Sequence, residues 1–486
     1  MLKDMLYASP ESEGVRSRDI LKFIRYVTEN KINLHSFLFA KGGRIIAEGY
    51  YPPFDESFLH RLYSASKTYV ALAIGMLVTD GRVRLSDKVI SFFPEYDTDE
   101  VPLHARKYTV EDALTMSTPY YPVRAKEIPD AIANPYERPI GKPAGTLFAY
   151  NDGAEVCADI VERVSGMFLA DFLRPLLDKL GVGGGATFVK DHDGGAWGGS
   201  GMMSTLRDFA KVAEFIGHLG CHDGEQLIDR EYMLKMTSIR KMTVSGNLYS
   251  PLATHGYGYL TWISPDAICM RGMGCQEAFY FPEGDLLFVS NGDTMTDFDY
   301  SDTRIYEAVK YFVFEEMGEP MPDSDDYDLL LEKLASLEMP RYGKEDSPLS
   351  STVSGVRYEV EENDMGWSHF ALDLSEREGS ITYANARGEK TIRFGCGSYL
   401  EGKFPEVHYY GMQRGVPSGR EPDSLAIAEW LDKDTLLIRV YITDISFGSV
   451  FIKIAFKDEL AAIQLKKRGE FLLDDYGGFA IGKRSR

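Results

Sequence analysis

The stretch from Ser66 to Thr79 constrains the fold more than any other part of the sequence. Its small and apolar residues recur on most sides of a helix rather than along one stripe, and Asp80-Gly81 ends the pattern. Such a helix is stable when protein surrounds it on nearly every side. The chain therefore has to build a core around a central helix, and its 486 residues allow roughly two to four domains.

The sequence before this helix predicts one further helix and a pair of strands. Apolar residues recur at helical spacing from Ser17 to Val27, with Ser17 as the candidate N-cap. Two apolar runs follow, Ser36–Ala40 and Arg44–Ala47, and the segment Lys41-Gly42-Gly43 between them is typical of a tight turn. We therefore expect a helix followed by a β-hairpin.

The region after the central helix predicts two kinds of structure. Residues from about 90 to 195 contain helix candidates joined by proline-bearing connections, which indicates an all-helical lobe. Short β-rich runs lie between Gly258 and Asn291, and a helix candidate at Thr303–Glu316 follows them. We expect an antiparallel sheet flanked by helices, built from residues 1–90 and 195–317, with the helical lobe inserted between these parts.

The composition changes after residue 317. The polar, proline-bearing stretch Gly318–Asp326 is typical of a linker, and the sequence beyond it and one short helix is rich in strands. The clearest pair of strands is Leu425–Trp430 with Thr435–Ile442, because the second run alternates as a half-buried strand does. The predicted units are a first domain at 1–317, a linker with a short helix at 318–340 and a C-terminal antiparallel β domain at 341–486.

Charge and cysteine content exclude several classes of function. The formal net charge of −21 disfavours nucleic-acid binding, because a polyanion would be repelled. The five cysteines include no CxxC pair and the nine histidines no HExxH, so we expect no disulfide framework, no metal and no cofactor. Residues 1–14 lack a long apolar run, which predicts no membrane partner and a cytoplasmic location. The sequence leaves the oligomeric state open.

The tetrad Ser64-Ala65-Ser66-Lys67 is the first motif suited to chemistry. Its spacing brings the serine hydroxyl and the lysine amine to one face of a helical turn, within reach of a hydrogen bond. A chain of this length should show roughly one or two such tetrads by chance, and Ser238-Ile239-Arg240-Lys241 is a second one. Ser64 differs because it lies where a loop enters the buried helix, so its amide is suited to a developing oxyanion. The simpler alternative is a helix cap beside an exposed lysine.

The residues around this tetrad resemble a known family. The segment Arg61–Thr68, followed by Ala73–Met76 and Asp80-Gly81, is similar to the class C β-lactamase-like serine hydrolases, which are penicillin-binding-protein-like. Other segments resemble the same group in matching order: Ser9–Gly14, Asp87–Val89, Leu114–Ser117, Pro143–Thr146 and Gly199–Thr205. The resemblance implies an α/β (α+β) fold of the β-lactamase/transpeptidase type, with the active site in a cleft and the first domain catalytic.

The second element of this family is a Tyr-x-Asn, and Tyr150-Asn151-Asp152 stands at its place. The tyrosine is kept, whereas Asp152 replaces the asparagine, a variant that resembles the esterase and 6-aminohexanoate-dimer hydrolase branches. Taken alone, Tyr150 is more simply interpreted as a packed aromatic residue. The resemblance instead implies that Tyr150 faces the serine and the lysine.

Acid–base chemistry then predicts the catalytic roles. Serine needs a base to take its proton near neutral pH, while free tyrosine and lysine side chains have reference pKa values of about 10. A protonated Lys67 beside Tyr150 would favour the phenolate, and Asp152, if close to Lys67, would favour the ammonium. We predict Ser64 as the nucleophile, Tyr150 as the base and Lys67 as its electrostatic partner.

The third element of the family is a Lys-Thr-Gly on the strand beside the site, and Met270–Gln276 resembles it without the lysine and threonine. The resemblance implies that Gly272 lets the substrate approach and that the Met273 amide is the second oxyanion donor, although the alignment could shift to Cys275. Arg271 is the candidate replacement for the missing lysine. Without the resemblance, the glycines here indicate a tight turn, and Cys275 is more simply a buried thiol.

These observations predict a serine hydrolase that cleaves an ester, amide or short peptide through an acyl-enzyme, carboxylesterase- or amidase-like. The missing lysine argues against efficient β-lactam hydrolysis, because that residue helps to bind a substrate carboxylate in β-lactamases. The alternatives are a D-stereospecific peptidase or DD-peptidase, a weak β-lactamase and, from another class, a catalytically silent ligand-binding relative. The sequence does not identify the natural substrate.

Overall fold

The chain folds as two units, Met1–Met339 and Pro340–Arg486, and each is described by itself. The computed structural model describes residues 2–485 apart from 3–4, 98, 100–104, 119–142, 192–193, 244–255, 295–300, 408–418, 470–472 and 474. The stretch that the sequence suggested as a linker, 318–340, therefore lies almost wholly in the first unit. Backbone hydrogen bonds attach it to the beginning of the chain, from Gly318 N to Gly14 O at 2.8 Å and from Met321 N to Glu11 O at 2.9 Å.

In its described residues, the first unit contains helices on both faces of one large sheet, and two smaller sheets of three and two strands. Its helices are α1 (Ser17–Glu29), α2 (Ser66–Thr79), α3 (Val110–Leu114), α4 (Gly153–Ser165), α5 (Leu169–Lys179), α6 (Leu206–Gly217), α7 (Arg230–Met236), α8 (Ser301–Val309) and α9 (Asp325–Ala335). Its strands are β1 (Leu34–Lys41), β2 (Arg44–Tyr50), β3 (His60–Arg61), β4 (Thr187–Phe188), β5 (Met202–Ser204), β6 (Cys221–His222), β7 (Glu225–Gln226), β8 (Gly256–Tyr257), β9 (Trp262–Ile263), β10 (Ile268–Gly272), β11 (Gln276–Phe281) and β12 (Leu286–Gly292).

The main sheet has seven antiparallel strands in the order β2-β1-β12-β11-β10-β9-β8. The predicted hairpin is confirmed, since β1 pairs with β2 across the Gly42-Gly43 turn. On one face, Phe23 of α1 packs edge-on against Phe39 and Phe288 at 5.2 and 5.3 Å. Residues of α2 and α6 share a core with the opposite face. The expected antiparallel sheet flanked by helices is therefore confirmed.

Helix α2 is buried almost all round, as its sequence predicts. Tyr232 donates a hydrogen bond from its hydroxyl to the Ala71 carbonyl at 2.7 Å, and its ring lies so close that a Cβ at Gly75 would be 2.7 Å from it. A 3₁₀ turn at Tyr63–Ala65 leads directly into the helix. The central helix therefore fixes Ser64 at the end of a buried element.

The region between 90 and 195 differs from the expected all-helical lobe. Helices α3, α4 and α5 lie in it, but Thr187–Phe188 forms the strand β4. This strand pairs with β5, which pairs in turn with β3, in a small three-stranded sheet. Two residues are too few to show strand periodicity, so the pairing depends on a distant partner. Part of the predicted lobe, residues 119–142, lies outside the described residues.

The described residues of the second unit form a sheet of ten strands that closes on itself. Its strands are β13 (Val356–Val360), β14 (His369–Leu374), β15 (Glu378–Asn385), β16 (Gly388–Cys396), β17 (Leu400–Lys403), β18 (Asp423–Trp430), β19 (Thr435–Thr443), β20 (Phe447–Lys457), β21 (Leu460–Gly469) and β22 (Gly478–Arg484), with one short helix, α10 (Ser350–Val353). The order is β16-β15-β14-β13-β22-β21-β20-β19-β18-β17, and β16 also pairs with β18. The predicted hairpin of β18 and β19 is confirmed.

The C-terminal sheet is antiparallel except at its closure. Gly395 and Cys396 of β16 pair in parallel with Ile427 and Ala428 of β18. Across the described part of the chain, no helix is both long and apolar enough to cross a bilayer.

The stability of the first unit should fall as the pH falls below about 6.5. His35 Nδ1 lies 3.0 Å from His60 Nε2, and the His35 ring stacks on Phe54 at 3.7 Å. Burial lowers the pKa of His60 to about 3, and burial with repulsion from His60 lowers the pKa of His35 well below its usual range. Histidines of the unfolded chain bind protons near pH 6.5, so acidification favours the unfolded state. Each of the two histidines lowers the free energy of unfolding by up to about 1.4 kcal/mol for each pH unit below this value.

Denaturant unfolding between about pH 8 and pH 5 measures this slope. His60→Gln should lose less stability on acidification than the wild type. His218 provides a control of opposite sign, because its hydrogen bond with Asp285 raises the pKa of His218. The stabilisation that His218 provides is complete below pH 6.5 and is lost at higher pH. His218→Gln should therefore make the free energy of unfolding fall more steeply as the pH is lowered from about 8 to about 5. Equal slopes in His60→Gln and the wild type would contradict the role of the pair.

Candidate active site

Ser64 lies in the 3₁₀ turn between β3 and α2, and the residue before it has an unusual backbone. Tyr63 has φ of 47°, in the left-handed region that non-glycine residues rarely adopt. Its ring is buried against the Arg61 guanidinium, whose carbon lies 4.2 Å from the ring centroid. Strain of this kind persists where surrounding contacts hold it. The contacts of Tyr63 thus keep the sharp turn that carries Ser64.

Lys67 points its amine at Ser64, one helical turn earlier. Its Nζ donates to Ser64 Oγ at 3.0 Å and to the Gly199 carbonyl at 2.6 Å. The side chain is buried, with 7% of the residue exposed. The spacing in the tetrad thus brings the hydroxyl and the amine into contact, and the buried position differs from the alternative of a cap with an exposed lysine.

Tyr150 lies in the loop before α4, and its ring faces the same amine. Lys67 Nζ is 5.0 Å from the ring centroid, within cation–π range. The ring also stacks on Trp262 at 5.5 Å, and 41% of the residue is exposed. Within the described part of the chain, no hydrogen bond joins the phenol oxygen to another residue. The structure therefore brings Ser64, Lys67 and Tyr150 into one group, with the lysine between the other two.

A second tyrosine beside Tyr150 has a different environment. The ring of Tyr257 lies 6.3 Å from that of Tyr150, edge to face. Burial, reinforced by interaction with Tyr150, raises the pKa of Tyr257 well above the usual range. Tyr257 therefore stays protonated near neutral pH and is a poor proton acceptor, whereas Tyr150 is open to solvent.

Strand β10 runs against the segment that leads into Ser64. A Cβ at Gly272 would lie 2.0 Å from the Leu62 carbonyl oxygen, so no other residue fits there without displacement. The strand ends at Gly272, and the Met273 side chain that follows is 41% exposed. Cys275 is buried in the same turn, with its Sγ 3.0 Å from Thr294 Oγ1, which fits the buried thiol that its sequence context indicates. The Met273 amide as second oxyanion donor stays a prediction.

The structure does not bring Arg271 or Asp152 to this group. Arg271, in β10, forms ion pairs with Asp302 and, at 3.6 Å, with Glu277. Its guanidinium carbon also lies 5.7 Å from the centroid of the Trp262 ring. Asp152 precedes α4, and among the described residues no ion pair joins it to Lys67. Arg271 thus has acidic partners within this chain.

A carboxylate that the sequence reasoning did not single out lies beside Lys67. Glu155, in the first turn of α4, accepts hydrogen bonds from Gly198 N at its Oε2 and from Gly199 N at its Oε1, both at 3.0 Å. The residue is 2% exposed. Its signal in the sequence is an acid within the otherwise apolar run from Gly153 to Ala158, since an acid there has to find buried partners.

Gly272→Ala should destabilise the first unit and impair the site. The added methyl group would meet the Leu62 carbonyl, so the loop before Ser64 has to shift, at a cost of about 1–3 kcal/mol. A displacement of about 1 Å at the nucleophile lowers catalysis by about 100-fold. Denaturant unfolding and the hydrolysis rate of a p-nitrophenyl ester measure the two effects.

Gly184→Ala is the matched control, because a Cβ at Gly184 meets nothing within 4 Å. It should leave both quantities near the wild-type values. Wild-type stability in Gly272→Ala would contradict the close approach of β10 to the Leu62 carbonyl.

The chain matches the model of the Beta-lactamase family over residues 23–310. Among curated proteins, the chain is 26% identical over 220 residues to the 6-aminohexanoate-dimer hydrolase of Paenarthrobacter ureafaciens, a match that covers 41% of this chain and 55% of that protein. The chain thus spans about half the length of this curated relative.

Two solved structures extend the comparison. A protein described as a beta-lactamase from Bacteroides dorei gives a TM-score of 0.51 at 16% identity, covering 61% of this chain and 98% of that one. A protein described as a 6-aminohexanoate-dimer hydrolase from Bacillus anthracis gives 0.48 at 18% identity, covering 65% and 90%. The Bacteroides structure shows a shared fold and carries no information about the substrate.

Proposed function

Because the chain belongs to the Beta-lactamase family, we propose that it is a serine hydrolase that cleaves an ester or amide through an acyl-enzyme on Ser64. One observation carries the proposal: Lys67 Nζ donates to Ser64 Oγ at 3.0 Å while the Tyr150 ring faces the same amine. A buried lysine in contact with a serine hydroxyl is an arrangement suited to activating a nucleophile. The contacts of Lys67 with Ser64 and with the Tyr150 ring support this proposal.

In the proposed first step, Ser64 Oγ attacks the substrate carbonyl carbon and its proton passes to the Tyr150 phenolate. The carbonyl oxygen becomes an oxyanion, for which the amides of Ser64 and Met273 are the proposed donors. The Lys67 ammonium stabilises the negative phenolate before the transfer. Collapse of the tetrahedral intermediate expels the leaving group, which takes the proton from Tyr150 and leaves an acyl-enzyme.

In the proposed second step, water attacks the acyl carbon and gives a proton to Tyr150. The intermediate collapses again, the bond to Ser64 Oγ breaks, and the proton returns to this oxygen. The carboxylic acid leaves and the enzyme regains its starting state. No group beyond the side chains named and water is needed to balance the reaction.

The engagement of Arg271 favours substrates without a carboxylate at β10. Its guanidinium is already paired with Asp302, and the stacked rings of Tyr150 and Trp262 lie beside Lys67. We therefore propose a carboxylesterase- or amidase-like activity in preference to β-lactam hydrolysis. We keep amides among the proposed substrates because the curated relative is named as a hydrolase of the 6-aminohexanoate dimer.

The proposal predicts turnover of p-nitrophenyl esters and slow turnover of β-lactams. A fluorophosphonate probe should label the wild type, and peptide mapping should place the label on Ser64. Ser64→Ala should abolish both labelling and turnover, whereas Ser238→Ala, in the second tetrad, should retain them.

A panel with D-alanyl peptides and a β-lactam separates the remaining activities. Faster cleavage of a D-alanyl peptide than of any ester would favour the peptidase, and robust β-lactam turnover would contradict the preference stated above. Absence of label from Ser64 would favour a ligand-binding relative.

Tyr150→Phe should lower kcat/KM for an ester by about 100- to 10,000-fold, because the variant keeps the ring and loses the proton acceptor. Tyr257→Phe is the control of equal size, since this buried phenol stays protonated and should contribute little to turnover. Steady-state kinetics with a p-nitrophenyl ester measure both variants. Near-normal turnover in Tyr150→Phe would overturn the assignment of the base.

A further inference from the structure

We propose that Glu155 is a positioning residue for the Lys67 ammonium. It acts through the segment Gly198-Gly199. The Glu155 carboxylate accepts hydrogen bonds from both amides of this segment, and the Gly199 carbonyl accepts one from the Lys67 ammonium. The inference rests on the proposed function, since it gives Glu155 a role in the step that Lys67 assists. Glu155 does not touch Ser64 or the reacting atoms.

The Gly199 carbonyl directs the amine of Lys67. The distance from Nζ to this oxygen is 2.6 Å, shorter than the 3.0 Å from Nζ to Ser64 Oγ. An ammonium held by a carbonyl on one side and a hydroxyl on the other has a defined direction. If the carbonyl turns away, the amine loses the contact that aims it at Ser64.

Glu155 holds the backbone on which this carbonyl depends. Each carboxylate oxygen accepts one amide, Gly198 N at Oε2 and Gly199 N at Oε1, at 3.0 Å. The carboxylate is buried at the start of α4. Two hydrogen bonds to one carboxylate fix both the position and the orientation of the amides that donate them. The two peptide groups before the Gly199 carbonyl are therefore held against α4.

There is no room for a side chain at either Gly198 or Gly199. A Cβ at Gly198 would lie 2.7 Å from Ala158 Cβ, and one at Gly199 would lie 2.8 Å from Glu155 Oε1. The segment therefore has no side chains of its own and the widest backbone freedom. Glu155 restrains it from one end, and Arg61 restrains it from the other by donating to the Ser200 carbonyl at 2.9 Å.

The charge of Glu155 also acts on Lys67. A Cβ atom placed on Gly199 would lie 2.8 Å from Glu155 Oε1 and 3.6 Å from Lys67 Nζ. The carboxylate and the amine therefore both lie next to Gly199. Opposite charges attract each other more strongly in a buried setting than in water. The sequence suggested Asp152 as the carboxylate near Lys67, and the structure has Glu155 there.

Glu155→Gln tests the role, because it keeps the shape, removes the charge and replaces one acceptor by an amide that cannot accept. We expect kcat for a p-nitrophenyl ester to fall by about 10- to 100-fold with little change in KM, as for the loss of a charge-assisted hydrogen bond. Glu155→Asp, which keeps the charge on a shorter side chain, should retain more of the wild-type kcat than Glu155→Gln.

Glu162→Gln is the matched control on the same helix. Glu162 Oε1 also binds two backbone amides, from Leu169 at 2.9 Å and Ala196 at 3.1 Å, without touching Gly198 or Gly199. The variant should lower thermal stability and leave kcat for the same ester near the wild-type value. A purely structural role for Glu155 would make the two variants behave alike, which would overturn the proposal.

Crystal structures of the wild type and Glu155→Gln separate this proposal from the proposed function. We expect Nζ of Lys67 to leave Ser64 Oγ in the variant. If Lys67 keeps both of its hydrogen bonds there, positioning by Glu155 is wrong, whatever the activity. If the wild type neither cleaves esters nor is labelled on Ser64, the proposed function fails, while a displaced Lys67 would still support positioning.

Discussion

A buried ammonium needs the protein to replace the water that it has lost. The Nζ of Lys67 meets a hydroxyl, a carbonyl and an aromatic face, and each comes from a different part of the chain. An uncompensated charge in such a place costs several kcal/mol. The turn before α2, the loop before β5 and the loop before α4 therefore have to stay together, and the surrounding helices and sheet hold them so.

Local patterns predicted the parts of the fold that depend on neighbours in sequence. The all-round apolar pattern of α2, and the two apolar runs on either side of a glycine turn that form β1 and β2, are displayed by neighbouring residues in the sequence. The resemblance to class C β-lactamase-like serine hydrolases is confirmed by the family match over residues 23–310. The contact between Ser64 and Lys67 likewise follows from spacing on one helical turn.

Other features depend on partners far along the chain, and the sequence did not reveal them. Glu155 binds amides 43 and 44 positions later, and no local pattern indicates which residues will lie opposite an acid. The face of the sheet on which the Arg271 side chain lies depends on the register of β10, because a shift by one residue exchanges the two faces. Asp152 is near Tyr150 in sequence, but the beginning of α4 sets where its side chain lies.

The parallel pairing of β16 with β18 has a consequence for how the second unit behaves in a crowded solution. An open sheet presents unpaired amides and carbonyls along its outer strands, and these can recruit strands from other chains into aggregates. Here the pairs Gly395 with Ile427 and Cys396 with Ala428 join β16, at one margin of the sheet, to β18, next to the strand β17 at the other margin. This closure satisfies backbone groups of β16 within the unit and leaves the short strand β17 as an edge, so the sheet offers a shorter template for association than an open sheet would.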